Sequence, residues 1–307
     1  MQKYIKDFLK YLYLERRYSK NTIRSYEVDL RQFELFLKDH FGSDRIFWNV
    51  IDKKILRYFL IRLQEQNISR RTIARKLATL KSFFRFLLKQ GVIEKNPAST
   101  VKMPRFEKKL PEYLTTEEMQ SLLRLPNYRT FEGLRDLAIL ELLYGTGMRL
   151  SELINLTVRQ VDFKERLIRV TGKGNKERII PFGGSAKLVL ERYLAIRPQY
   201  AEKTVDNIFV LKTGKKMYPV AVQRIVKKYL SGVSQIQKKS PHILRHTYAT
   251  HLLNAGADIR VVKDLLGHEN LSTTQVYTHL SIEHLKNIYN RAHPRSHEKS
   301  SKNRRRS

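Results

Sequence analysis

Between Leu134 and Tyr144 the chain is apolar on nearly every side of a helical projection. A helix without a polar face must sit at the centre of a bundle, covered by other helices. Gly145-Thr146-Gly147 ends it. The flanking sequence supplies the cover. Thr115-Thr116-Glu117-Glu118 is a capping box ahead of Met119, Leu122 and Leu123, and residues 186–196 and 220–230 read as amphipathic helices. Residues 166–171 and 177–182 read as two strands around the turn Gly172-Lys173-Gly174-Asn175-Lys176, and residues 208–211 as a short strand at most. The turn is not a P-loop, because its order is not GxxxxGK[ST] and a strand follows it.

The N-terminal third is helical throughout. Ile5, Phe8, Leu9 and Leu12 share one face, and Ser19 can cap a helix that turns Tyr26, Leu30, Phe33 and Leu37 inward. A third helix covers about residues 55–64. The next helix, between a cap at Ser69 and a stop at Gly91, carries Ile73, Leu77, Leu80, Phe84, Leu87 and Leu88 as an apolar stripe. Arg71, Arg75, Ser82, Arg85 and Lys89 lie opposite, with no acid among them. A solvated face is the default for such a row. The charge of the whole chain tips the reading toward DNA phosphates: 60 Lys and Arg against 29 Asp and Glu give +31. These elements predict a mainly α fold with a small β-sheet, in a helical domain over 1–100, a linker over 101–112, a second domain over 113–292 and a basic, disordered tail over 293–307. The linker, with Pro104, Pro111 and four basic residues, is extended.

Composition also excludes functions. The chain has no cysteine, so disulfides, thiolate zinc sites and thiol catalysis are out, and a cytoplasmic home fits. No apolar run is long enough to span a bilayer, and residues 1–6 start an amphipathic pattern rather than a signal peptide. His242, His246 and His251 could be read as a metal cluster, but no HExxH occurs and no carboxylate is well spaced, so no metal or other cofactor is expected.

The chemistry concentrates between His242 and Tyr277. Pro241 favours a helix start, which puts His242 in a first turn with Arg245 on the same face, and Leu244, Tyr248 and Leu252 anchor that helix. Arginine is the natural bidentate partner of a phosphate. His268 follows Gly267 in a turn. Ser272-Thr273-Thr274-Gln275 is a second capping box, placing Tyr277 early in a short helix. Upstream, Arg149 meets Glu152 three residues on, a pair that is structural by default. Together Arg149, Lys173, His242, Arg245 and His268 could surround a phosphate that a tyrosine hydroxyl attacks, cations stabilising the charge that develops. Each residue taken singly has a plain structural reading; their order gives the set its weight.

Several stretches match one family. Gly145-Thr146-Gly147-Met148-Arg149-Leu150-Ser151-Glu152-Leu153, Gly172-Lys173-Gly174-Asn175-Lys176-Glu177-Arg178, Pro241-His242-Ile243-Leu244-Arg245-His246, Leu265-Leu266-Gly267-His268 and Ser272-Thr273-Thr274-Gln275-Val276-Tyr277-Thr278-His279, with the ending His293-Pro294-Arg295, resemble the tyrosine recombinases of the XerC/XerD type. The resemblance runs over nearly the whole chain. It implies that Arg149 and Arg245 bind the scissile phosphate and that Tyr277 attacks it to give a 3′-phosphotyrosine. Lys173 would protonate the 5′-oxygen, His242 would assist proton transfer, His268 would bond the phosphate, and Glu152 would support the first arginine. It further implies a SAM-like core-binding domain and a catalytic domain in a C-shaped clamp on DNA. Four protomers, of one or two sister recombinases, would exchange strands through a Holliday junction. A C-terminal helix, about 281–292 here, would pass between neighbours. The type resolves chromosome dimers at cell division under the translocase FtsK, at the nucleoid. Alternatives stay open at the level of sequence: a mobile-element or plasmid recombinase of the same chemistry, a DNA-binding module without catalysis, a type IB topoisomerase that shares the tyrosine chemistry and, last, a metal-dependent nuclease.

Overall fold

The computed structural model describes residues 2–102, 112–171, 177–267 and 279–296. Lys173, His268 and Tyr277 lie outside them, as do the capping box at 272–275, most of the linker and residues 297–307. The chain divides into two compact units, Met1–Lys109 and Leu110–Ser307, each with its own core.

The first unit is built from α1 (Gln2–Leu14), α2 (Lys20–Phe41), α3 (Lys53–Glu65) and α4 (Arg70–Lys89). Ser19, Asp52 and Ser69 start the last three by accepting the backbone N–H of Thr22, Ile55 and Thr72. Along α4, Ile73, Leu77, Leu80, Phe84 and Leu87 are buried as their spacing predicts, but Leu88 is 40% exposed. Phe83, Phe86 and Thr79 are buried as well. The reason is tertiary: α1, α2 and α3 all pack on α4, so its buried arc is wider than one stripe. Ile93, Ala98 and Val101 close the same core, carrying the unit past residue 100.

The second unit comprises α5 (Thr116–Arg124), α6 (Phe131–Thr146), α7 (Leu150–Asn155), β1 (Val161–Asp162), β2 (Leu167–Thr171), β3 (Glu177–Pro181), α8 (Gly184–Ile196), α9 (Pro219–Ser231), α10 (Pro241–Asn254), α11 (Ile259–Leu266) and α12 (His279–Ala292). The capping box forms at α5, where Thr115 accepts from the Glu118 N–H and Glu118 accepts from the Thr115 N–H. As its sequence requires, α6 is central, in contact with α5, α7, α8, α9 and α10. The sheet runs β1-β2-β3, all antiparallel, and Thr171 pairs with Glu177, the last described residue before and the first after residues 172–176. With two residues, β1 is too short to show a period in sequence. Residues 208–211 form no extended strand; Val210 makes one isolated bridge to Lys216.

Residues 293–296, expected to open the tail, belong to the second unit instead. His293 and Ser296 are buried, and the Arg295 guanidinium pairs with the buried Glu141 of α6. Basic composition concealed this because Arg295 has an acid partner 154 positions upstream. Together with Leu285, Tyr289 and Ala292, these residues dock α12 on α10 and β3 of its own unit.

Candidate active site

Two glycines shape the site. Gly147 ends α6 at φ 60°, and a Cβ there would lie 2.4 Å from Cδ1 of Tyr248. Gly267 ends α11 at φ 66°, and a Cβ there would lie 3.0–3.1 Å from the Arg178 side chain. Only glycine accepts both the left-handed backbone and the close approach. Their carbonyls hold the two arginines singled out in sequence. Arg149 Nη2 donates to Gly267 O at 2.6 Å, Arg245 Nη1 to Gly147 O at 2.6 Å and Arg245 Nη2 to Leu266 O at 2.6 Å. Both guanidiniums therefore converge on the C-terminal end of α11, where the last carbonyls of a helix attract cations.

Arg149 stands at the N-terminus of α7, just after the turn at Gly147. Glu152, one turn into α7, reaches back to it twice, accepting from the Arg149 backbone N–H at 2.6 Å and from Nη1 at 3.0 Å. The expected pair is present. Its carboxylate has a second partner that sequence reasoning did not assign a role: Arg178 of β3, whose Nη1 and Nη2 donate to the two oxygens at 2.6 and 2.8 Å. Arg178 Nε also donates to Leu265 O at 3.2 Å. A signal existed, since Arg178 falls on the inward side of a strand with buried Ile180 on the same face. Burial alone would raise the Glu152 carboxyl pKa; bonds from Arg178 and Arg149 more than offset it and hold the group below the usual range.

Arg245 lies on α10, one residue after buried Leu244, with Tyr248 and Leu252 anchoring the same helix. Burial, then the neighbouring Arg149 and Arg178, lower its pKa to about 10, so it stays charged at neutral pH. His242 sits in the first turn of α10, exposed, after Pro241 at the helix start. His251 belongs elsewhere. Its Nε2 meets Leu114 O at 2.9 Å, so it donates, and Nδ1 accepts from the Tyr144 hydroxyl at 2.9 Å. Both ring nitrogens are thus engaged in neutral hydrogen bonds, and burial keeps the pKa below that of a free histidine.

On the first unit, Arg71, Arg85 and Lys89 are exposed on α4, Lys89 lying 5.8 Å from the Tyr11 ring centroid. Arg75 is partly committed. The face has no acid of its own, but Asp29 of α2 is buried beneath it and accepts from Arg75, from Lys76 at 2.8 Å and from Thr79 at 3.0 Å. An acid on a neighbouring helix was invisible to a reading of α4 alone.

Known proteins resemble this chain. Residues 112–284 match the phage integrase family, and residues 5–91 match the phage integrase N-terminal SAM-like domain. The chain is 41% identical to a tyrosine recombinase XerC of Chlorobaculum parvum, covering 95% of this chain and 94% of that one. It is 39% identical to a tyrosine recombinase XerD of Staphylococcus aureus, covering 96% and 100%. Among solved structures, the Tn1549 transposon integrase in complex with DNA shares the fold at 22% identity and a TM-score of 0.72, over 93% of this chain and 94% of that one. XerH recombinase bound to its difH substrate does so at 24% identity and 0.65, over 87% and 76%. Two guanidiniums on one carboxylate with a third beside them, on a mainly helical unit with a three-stranded sheet, and relatives matched along almost the full chain lead to one assignment: the chain belongs to the phage integrase family and is a site-specific DNA recombinase of the tyrosine recombinase XerC/XerD type.

Proposed function

We propose that the chain cuts and rejoins DNA through a covalent tyrosine intermediate, with Arg149 and Arg245 holding the scissile phosphate. One observation carries this reading: Arg149 and Arg178 share a single carboxylate, Glu152, while the Arg245 guanidinium beside them at the end of α11 has only the Gly147 and Leu266 carbonyls as its described partners. The cluster keeps an excess of positive charge in a half-buried place, which is costly unless an anion completes it. A phosphodiester is such an anion, and guanidinium forks fit its nonbridging oxygens. As the phosphate passes through a pentavalent state its oxygens gain charge, and the same arginines bind that state more tightly than the ground state.

Tyr277 is the nucleophile in this reading. Its oxygen bonds to phosphorus, the 5′-oxygen leaves, and Lys173 protonates it. His242 and His268 assist with proton transfer and the phosphate. Reversal with a different 5′-hydroxyl reseals the strand, so the phosphotyrosine keeps the bond energy and no nucleotide is consumed. The first unit serves as the core-binding domain. Its Arg71, Arg85 and Lys89, with Arg75 in a smaller part, contact DNA phosphates. Four protomers exchange strands through a Holliday junction and so resolve chromosome dimers at division, under FtsK, at the nucleoid. The XerC and XerD relatives support that cellular role.

The test is covalent capture. Nicked duplexes with randomised centres are incubated with the full chain, and DNA attached to protein is recovered under denaturing conditions. The wild-type chain should enrich one sequence class, and Tyr277→Phe should yield none. Lys173→Ala should cleave slowly unless the leaving group is a 5′-thiol, which needs no acid. Attachment by Tyr277→Phe, or none by the wild type, would sink the mechanism.

A further inference from the structure

We infer that Arg178 is a positioning residue of the recombination site: it locks the Glu152 carboxylate so that Arg149 presents its guanidinium to the phosphate. The inference rests on the phosphate-binding role proposed above. Arg178 itself is 6% exposed and all its described bonds run to protein atoms, so it does not reach DNA.

The geometry explains why this position requires arginine. Three N–H groups of Arg178 point in fixed directions within one plane. Two run to the two oxygens of Glu152, and the third runs to Leu265 O at the end of α11. A lysine ammonium could satisfy one or two of these partners but not the planar fork. Each Glu152 oxygen is in turn shared. Oε1 accepts from Arg178 Nη1 and Arg149 Nη1; Oε2 accepts from Arg178 Nη2 and the Arg149 backbone N–H. The carboxylate can therefore neither rotate nor slide toward Arg149.

Two consequences follow for Arg149. Its guanidinium is fixed in direction, between Glu152 Oε1 and Gly267 O. Its charge is also only partly neutralised, because Glu152 divides its own between two arginines. Without Arg178, Glu152 would swing into a bidentate pair with Arg149 and compete with the phosphate for it. Arg178 further ties the start of β3, close in sequence to Lys173, to α11 through Leu265. The close approach of its side chain to Gly267 places it against the residue whose carbonyl holds Arg149.

The test separates positioning from bulk stability. Full-length wild type, Arg178→Met, Arg178→Lys and Arg149→Ala are compared on the duplex captured by the wild type. Each uses a normal scissile phosphate and a methylphosphonate, which lacks the negative charge that Arg149 would hold. DNA affinity and single-turnover cleavage are measured separately. Arg178→Met should cleave the phosphate about 100-fold more slowly with little change in DNA affinity, the scale expected when a catalytic group is slightly misplaced. On the methylphosphonate its deficit should shrink to about 10-fold or less, in parallel with Arg149→Ala, because both lose the same charge-dependent contact. Arg178→Lys should fall between wild type and Arg178→Met. If Arg178→Met does not fold, Arg178→Lys alone still decides, since it keeps the charge and loses the fork. Equal deficits on both substrates, or a loss confined to melting temperature, would overturn the assignment. Failure of the wild type to attach to any DNA would instead overturn the reading on which it rests.

Discussion

Acid should loosen the second unit through His293, and one substitution isolates the effect. The His293 ring stacks on Tyr289 at 4.9 Å between centroids, with Tyr144 at 4.8 Å and Tyr248 at 5.3 Å. Its Nδ1 accepts from the Arg295 backbone N–H at 3.1 Å, so the proton sits on Nε2, which has no hydrogen-bond partner among the described residues. Burial lowers its pKa to about 3; the Tyr144 carbonyl opposes this, and His251 and Arg295 reinforce it. An unfolded histidine titrates near 6.5. The folded state therefore prefers the neutral ring, and this stability is complete above about pH 6.5 and is lost as pH falls toward the folded value. Taking those two pKa values, the loss between about pH 7 and pH 4.5 is roughly 2–3 kcal/mol. Glu141 acts in the opposite sense, because burial, only partly offset by Arg295, raises its pKa and lets the folded state take up a proton early. Urea unfolding followed by far-UV circular dichroism at a series of pH values gives the slope. His293→Phe keeps the ring and removes the titration, so its stability should fall less with acid by about that 2–3 kcal/mol. Identical slopes for wild type and His293→Phe would refute the reasoning.

The other predictions concern one glycine turn and the basic face with the cation beneath it. Gly147→Ala should destabilise the second unit by about 2 kcal/mol or more, from the left-handed backbone and the contact with Tyr248. It should also slow covalent capture, because the Arg245 partner carbonyl moves; an unchanged melting curve would count against this. On α4, Arg71→Ala and Arg85→Ala should each reduce the slope of log affinity against log salt by about one, with stability unchanged. Lys76→Met should do the reverse. It leaves Asp29 buried with fewer partners and costs about 3 kcal/mol, read in the first unit by fluorescence of Trp48, the chain's single tryptophan. A changed salt slope for Lys76→Met, with normal stability, would overturn the division between outer and inner cations.

The sequence alone determined the elements and the ends that hold them. The apolar run at α6 fixed a central helix, because no face of it could meet water. Thr115 and Glu118 fixed the start of α5, and Pro241 fixed the start of α10, since these depend on local backbone donors within a few residues. The order of Arg149, Glu152 and Arg245 among those ends was legible for the same reason. Tertiary structure decided the partners. Asp29 neutralises Arg75 and Lys76 from a different helix, and Arg295 finds Glu141 across 154 positions. Neither could be read from its own stretch, so one face seemed unbalanced and one segment seemed a free tail. Arg178 is the same case within the site. Its spacing in β3 marked it as inward, but only the folded chain brings Glu152 and Leu265 to its three donors. Helix caps are local, whereas charges buried by folding must be paired by whatever the fold brings near, and sequence order does not specify that neighbour.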